Sequence, residues 1–339
     1  MRVLFAKLRD TLQKGKDAVL VTVVASSGST PRGAGARMLV TAEGRVCGTI
    51  GGGAVEYRSE QMAAEVLRAK SSRTAQFLLR RNQVEDLGMI CGGDVTVYFQ
   101  YIPAGDEAVP ALAMQAERLL EAGEQSWLIS DITPEANGAL SLYGTKSGLS
   151  GPAVPEQVLS ALGSKPAQVE AGGRLYYVET LVRAGRVYIF GGGHVAQALV
   201  PVLTAVEFRC VVVEDREDFC RPVLFPGVEE TRLVPMDRLA DRVKIGPDDY
   251  ICVMTRGHKN DTDCEAFALG TPACYIGVIG SRRKIAGVNA ILQERGFTEE
   301  DLARIHTPIG LDIRAETPAE IAVSIAAEMI RVRADRSHR

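Results

Sequence analysis

One stretch concentrates residues whose types and spacing can do chemistry: Arg186-Val-Tyr-Ile-Phe-Gly-Gly-Gly-His-Val-Ala196. Gly191, Gly193 and Ala196 fit G-x-G-x-x-[GA], the dinucleotide-binding spacing. Its glycines let a ligand approach the backbone, and the helix start behind them offers free N–H groups to a phosphate. His194 stands at that helix start, where the dipole favours neutral imidazole; it can donate to a phosphate or orient a substrate. The next apolar run ends in Glu214-Asp215-Arg216. Asp215 can accept hydrogen bonds from a ribose or another polyol, and Arg216 beside it would admit a 2′-phosphate.

Two further loops follow apolar runs. Thr255-Arg-Gly-His-Lys-Asn-Asp261 carries His258 and Asp261, which can transfer a proton as a pair or bind a metal-linked phosphate. Gly280-Ser-Arg-Arg-Lys284 places Ser281 and Arg282 where an anion can be clamped. In the first half, a long small-residue loop from Ser26 carries Arg32 and ends at Arg37. After it, Gly51, Gly52 and Gly53 open a helix, which makes a second candidate anion cradle. Cys91 lies beside the Gly92-Gly93 turn, where a thiolate can bind or relay sulfur. Each feature has a plainer alternative: glycines serving tight turns, Cys91 as turn filler, Arg282 to Lys284 as a solvated basic turn.

These residues need elements to hold them. Val187 to Phe190 reads as a buried strand, and Val195, Leu199, Val202, Leu203 and Val206 as one helix face. Phe208 to Val213 reads as the second strand of a βαβ unit. Strands at Thr231–Val234, Tyr250–Met254 and Cys274–Ile279 alternate with helices, giving a Rossmann-like doubly wound parallel sheet over 185–339. Thr262 with Glu265, and Thr317 with Glu320, have capping-box spacing. An N-terminal α/β domain is expected over 1–184: an opening helix, a strand over Ala18–Ala25, and a hairpin around Glu43-Gly44. Its middle segment, about 107–184, shows no chemical motif and reads as a continuation of that domain.

Apolar residues make up 46% of the 339, enough for real cores, and charged residues 24%, ordinary for a soluble protein. A net charge of -3 argues against nucleic-acid binding through bulk electrostatics. No run approaches the roughly 18 apolar residues of a membrane span. Lys7, Arg9 and Asp10 interrupt any signal-peptide core, and seven scattered cysteines suit a reducing cytoplasm. Without a Cys-x-x-Cys pair, a structural zinc site is not expected, and other metal binding is left open.

The chain resembles the xanthine dehydrogenase accessory (XdhC/CoxI) family over most of its length. The first half carries Gly28-Ser-Thr-Pro-Arg32, Gly48-Thr-Ile-Gly-Gly-Gly53 with Glu56, and Cys91-Gly-Gly93. The second carries Phe190-Gly-Gly-Gly-His-Val195, Val253-Met-Thr255, Ile276-Gly-Val-Ile-Gly-Ser-Arg282, Pro308-Ile-Gly-Leu-Asp312 and Thr317-Pro-Ala-Glu-Ile-Ala-Val-Ser324. It departs from many members in Thr255-Arg-Gly-His258, where they place Thr-His directly after the strand. The resemblance implies a maturation factor that binds molybdenum cofactor (molybdopterin), holds it during sulfuration and passes it to an apo molybdenum hydroxylase. A cysteine desulfurase-like sulfur donor is the implied second partner, and a homodimer is allowed for. The residues read as contacts are Arg32, Gly51, Gly52, Gly53, Cys91, Gly191, Gly193, His194, Asp215, Arg216, His258, Ser281 and Arg282. The competing reading is an NAD(P)-dependent oxidoreductase using the same glycine loop; no substrate-orienting catalytic set accompanies it.

Overall fold

The computed structural model describes residues 1–28, 32–78, 93–133, 138–256, 258–280 and 282–337. It divides into two compact units, Met1–Arg183 and Ala184–Arg339. Among the described residues no helix is long and apolar enough to cross a membrane.

The first unit holds two five-stranded antiparallel sheets. One contains β1 (Ala18–Ser27), β2 (Arg37–Thr41), β3 (Gly44–Thr49), β4 (Arg73–Leu78) and β5 (Asp94–Ile102), in the order β3-β2-β1-β5-β4. The other contains β6 (Ser126–Asp131), β7 (Leu140–Gly144), β8 (Gly148–Ser150), β9 (Ala167–Ala171) and β10 (Arg174–Val182), in the order β8-β7-β6-β10-β9. These are the same topology written twice. Each sheet is preceded by a long helix, α1 (Arg2–Gln13) or α3 (Ala108–Ala122). Each carries a helix between its third and fourth strands, α2 (Gly53–Ala69) or the short turn Glu156–Ser160. The segment without a chemical motif is thus the second copy of the first.

Side-chain alternation explains how β1 is buried on both faces. Ala18 and Leu20 join the cluster of α1 (Leu4, Phe5, Leu8, Leu12) and α3 (Leu112, Ala113, Ala116). Val19, Val21 and Val23 point the other way, onto Val55, Ala63 and Val66 of α2. Leu128, Leu142 and Leu181 of the second sheet enter the α1–α3 cluster as well. Truncating Leu8, fully buried there, to alanine should cost about 2–5 kcal/mol.

The second unit is a six-stranded parallel sheet. Its strands are β11 (Val187–Phe190), β12 (Cys210–Glu214), β13 (Glu230–Leu233), β14 (Tyr250–Val253), β15 (Tyr275–Val278) and β16 (Ile305–His306), ordered β13-β12-β11-β14-β15-β16. Val187 and Ile189 face a cluster with α4 (His194–Ala205) and α7 (Pro318–Ser337). Tyr188 and Phe190 face α5 (His258–Leu269) and α6 (Arg282–Glu294). This is the doubly wound arrangement the alternation of elements predicts, and the strand order reverses between β11 and β14.

One expected cap is corrected. Thr262 and Glu265 do not open a helix: α5 begins at His258, so both lie inside it and are buried. The helix gains its extra turn because Asp261 turns inward to accept from Thr255 Oγ1 at 2.5 Å. The second expected cap is present: Glu320 N–H donates to Thr317 Oγ1 at 3.3 Å, and Thr317 N–H to Glu320 Oε2 at 2.9 Å.

Candidate functional site

In the glycine turn after β11 each glycine has a different task. Gly191 has φ +107°, and a Cβ on it would lie 2.5 Å from the Met254 carbonyl oxygen. A Cβ on Gly192 would lie 2.2 Å from the Phe219 carbonyl oxygen. These two let the turn press against the segments after β14 and β12. Gly193 meets nothing within 4 Å and forms the N-cap of α4. The first bond of that helix is Gln197 N–H to Gly193 O, at 3.0 Å. The amides of Gly193, His194, Val195 and Ala196 precede it and find no acceptor among the described residues, as expected of a first turn. His194 is exposed beside them. A third glycine under open space, at a helix start with free amides, is a geometry that can receive a phosphate.

The strand-end acid that contacts the turn is Glu214, not Asp215. Glu214 is 1% exposed and its Oε2 accepts the Gly192 N–H at 2.7 Å. Arg216 closes on it with two bonds, Nε to Oε1 and Nη2 to Oε2, both at 2.9 Å. Burial pushes the Glu214 carboxyl up, but hydrogen bonds from Arg216, Asp215 and Gly192 outweigh it and hold it at about 2. The Arg216 guanidinium also lies 3.9 Å from the Phe219 ring centroid. Arg216 thus spends its Nε–Nη2 edge on Glu214 and one face on Phe219 while its side chain stays 31% exposed. Asp215 is exposed, and its carboxyl is pushed up, first by its bond to Glu214. Asn260 of α5 reaches it at 3.3 Å. The segments after β11, β12 and β14 thus meet beyond the carboxyl ends of these central strands, bringing together Gly191, Gly193, His194, Asp215 and Arg216.

The glycine turn of the first unit is partly occupied by the chain itself. Glu56, 8% exposed, turns back from the first turn of α2. Its Oε2 accepts from Ile50 N–H at 3.0 Å, Gly52 N–H at 3.2 Å and the Thr49 hydroxyl, while Arg45 binds Oε1. Burial raises this carboxyl, and the bonds from Thr49, Gly52 and Ile50, with the Arg45 charge, bring it below the usual range. Of the cradle expected at Gly51, Gly52 and Gly53, the Gly52 amide is thus taken by the chain's own carboxylate and the Gly51 amide by the Thr49 hydroxyl. Arg37 does not serve that cradle either. It is buried at the start of β2 and pairs with Glu179 of β10. Arg32 is exposed on its loop.

Cys91 and Ser281 lie outside the described residues. His258 and Arg282 are described by their backbone alone: each opens a helix, α5 or α6, that follows a strand of the parallel sheet. Asp261, offered as the partner of His258, is fully buried on Thr255. Among the described residues no group of three or more His, Cys, Asp or Glu could hold a metal ion. The roles of Glu214 and Glu56 escaped the sequence reading. The signal was a carboxylate closing a wholly apolar strand in one case, and an acidic residue in the first turn after glycines in the other.

Comparison with known proteins finds two family models. The XdhC Rossmann domain matches residues 187–329, and the XdhC and CoxI family model matches residues 11–78. Uncharacterized protein YqeB of Escherichia coli is 26% identical over 93% of this chain, which spans only 43% of YqeB. A probable xanthine dehydrogenase subunit of Bacillus subtilis is 24% identical over 95% of both chains. The molybdenum cofactor insertion chaperone PaoD of E. coli is 25% identical over 96% of this chain and 86% of its own. A crystal structure described as a xanthine dehydrogenase from Bacillus halodurans shares the fold, with a TM-score of 0.78 and 24% identity over 98% of this chain and 96% of that one.

Proposed function

The chain belongs to the XdhC and CoxI family, and from that premise we propose that it is a molybdenum cofactor-binding maturation factor. It receives the cofactor as cargo, holds it during sulfuration and inserts it into a xanthine dehydrogenase-type hydroxylase. PaoD, a molybdenum cofactor insertion chaperone, supports the insertion role, and the B. subtilis relative supports the choice of target. A cysteine desulfurase-like donor supplies the sulfur. The protein is a carrier, without turnover of its own.

The observation that carries this reading is the open third glycine. A pyranopterin bears a phosphate arm, and the free amides of Gly193, His194 and Val195 fit a phosphate group. Asp215 fits as an acceptor for a hydroxyl of the cargo. Gly193 has an ordinary backbone conformation and room for a side chain, so Gly193→Val should fold normally while covering those amides. The test is retention of molybdenum cofactor by gel filtration, read by pterin fluorescence after oxidation. Retention should fall at least about tenfold in Gly193→Val, the loss of about 1.4 kcal/mol of phosphate contact. Equal retention by the two proteins refutes the reading. So does a thermal shift with NAD(H) or NADP(H) when molybdenum cofactor gives none; that result favours the oxidoreductase alternative.

A further inference from the structure

The first unit contains a second group built to receive an anion, and it is not at a helix start. Arg37 is the residue at which the loop after β1 re-enters the sheet. That loop is tied to β1 by Gly35 N–H to Val23 O and Val23 N–H to Ala36 O, both at 2.9 Å. Only 5% of Arg37 is exposed. Its guanidinium is used on one side alone: Nη1 pairs with Glu179 and donates to Gly35 O at 3.4 Å. Nε and Nη2 are both buried and neither has a partner among the described residues. Those two N–H groups form the side-on edge of the guanidinium, two parallel donors matched to two oxygens of one oxyanion.

A guanidinium keeps its charge in any protein, so this edge cannot escape its unmet bonds by losing a proton. Buried donors are satisfied in nearly all native structures, by protein, water or ligand. A Cβ on Gly35 would lie 2.7 Å from Glu179 Oε2, so backbone packs directly against that carboxylate. Tyr177 donates its hydroxyl to the same oxygen at 3.3 Å. Burial pushes the Glu179 carboxyl up, with Arg37 pulling it back. A carboxyl that ionises reluctantly leaves the guanidinium charge available to an anion.

We infer that the Nε–Nη2 edge of Arg37 is a binding site for a small oxyanion, a phosphate or carboxylate group held side-on at the start of β2. This goes beyond the proposed carrier function and does not depend on it, because the site shares no residue with the Gly193 turn. Inorganic phosphate is the probe for the tetrahedral case and acetate for the planar one, each against sodium chloride of equal ionic strength. The first measurement is the Arg Nε–H region of the ¹⁵N spectrum of the full chain. One slowly exchanging resonance should move on titration with one of the two anions, and be absent in Arg37→Lys. The second is thermal unfolding. At ten times its dissociation constant the bound anion should raise the midpoint by about 3–6 °C. Arg37→Lys keeps the charge but lacks the fork, and should lose that rise; Gly193→Val should keep it. No resonance moving with either anion overturns the inference, as does an equal midpoint rise in Arg37→Lys. Because the spectrum is taken on the unmodified chain, it decides even where the lysine variant fails to fold.

Discussion

The two glycine turns differ in which carboxylate enters them. In the first unit Glu56 belongs to the helix that the turn opens; it reaches back one turn, takes the Ile50 and Gly52 amides, and is neutralised by Arg45. In the second, Glu214 comes from the neighbouring strand and takes one amide of the turn, Gly192; its other oxygen accepts from Asp215 and Arg216 N–H, with the Arg216 guanidinium closed over it. Both turns therefore contain a Glu–Arg pair on a glycine amide. In both, the amides that open the helix itself, from Gly53 in one and His194 in the other, have no acceptor among the described residues, and the N-cap glycine, Gly52 or Gly193, meets nothing within 4 Å. What differs is the backbone of that cap: φ is +75° at Gly52 and an ordinary −69° at Gly193, so only the second tolerates a side chain there without strain.

Glycine substitutions break this comparison most severely. Gly191→Val should be the largest effect, because a side chain there meets the Met254 carbonyl oxygen at 2.5 Å on a backbone with φ +107°. We expect a loss above about 4 kcal/mol in urea unfolding, in the range reserved for overpacking and backbone strain together. Gly52→Ala meets nothing within 4 Å, but φ +75° with ψ −174° is backbone that only glycine adopts readily, so it should lose about 1–3 kcal/mol. Gly193→Val should lose no more than about 1 kcal/mol, the cost of a poorer N-cap, and lose cargo instead. If Gly191 and Gly193 variants were equally stable, the division of labour within the turn would be wrong.

The carboxylates sharpen the comparison at a smaller scale. Glu56→Gln removes a buried charge that accepts four hydrogen bonds and should cost about 2–3 kcal/mol. Glu214→Gln should cost at least as much, because Glu214 is 1% exposed and accepts from Gly192, Asp215 and Arg216 N–H as well as from the Arg216 guanidinium. Urea midpoints of the two variants, measured together, test the order. The pH dependence follows from the same bonds. Folded Glu214 is held at about 2, below its ordinary value of 4.5, and Glu56 also lies below its own. A carboxyl depressed by folding contributes its full stability above the unfolded value and loses it as pH falls towards the folded one. Stability should therefore decline from about pH 4.5 towards pH 2, and each Gln variant should flatten part of that slope.

The sequence carried the second unit further than the first for a physical reason. A parallel sheet buries both faces of every strand, so Val187–Phe190 and Tyr250–Val253 appear as continuous apolar runs that are easy to place. The glycines between them were legible as a turn. Glu214 was not singled out, because its importance depends on a contact 22 residues away in sequence. In the first unit the second copy of the sheet carries none of the motifs of the first. Its repetition lies in strand order, which constrains only the pattern of buried and exposed positions. Where the first copy spends residues 79–93 between its last two strands, the second uses the two-residue turn Gly172-Gly173. Two motifs quoted for the family turn out to hold each other. Ser324 donates its hydroxyl to Leu311 O at 2.6 Å, and a Cβ on Gly310 would lie 2.3 Å from that hydroxyl oxygen. Close packing, more than ligand contact, accounts for that glycine.

The smallest effect separates Asp215 from Glu214, neighbours in sequence with opposite environments. Glu214 is buried and bonded to cations and amides; Asp215 is exposed, and its carboxyl is pushed up by sharing a site with Glu214. Two carboxylates so close repel, so removing the outer one relieves the pair. Asp215→Asn keeps a side-chain oxygen for Asn260, which reaches it at 3.3 Å. The variant should match the parent within about 0.5 kcal/mol in urea at neutral pH, or slightly exceed it, because surface substitutions rarely do more. Its effect belongs to the cargo: if Asp215 accepts a hydroxyl of the bound molecule, retention should weaken by about twofold to tenfold with stability unchanged. Unchanged retention would remove Asp215 from the site and leave the glycine amides to hold the cargo alone.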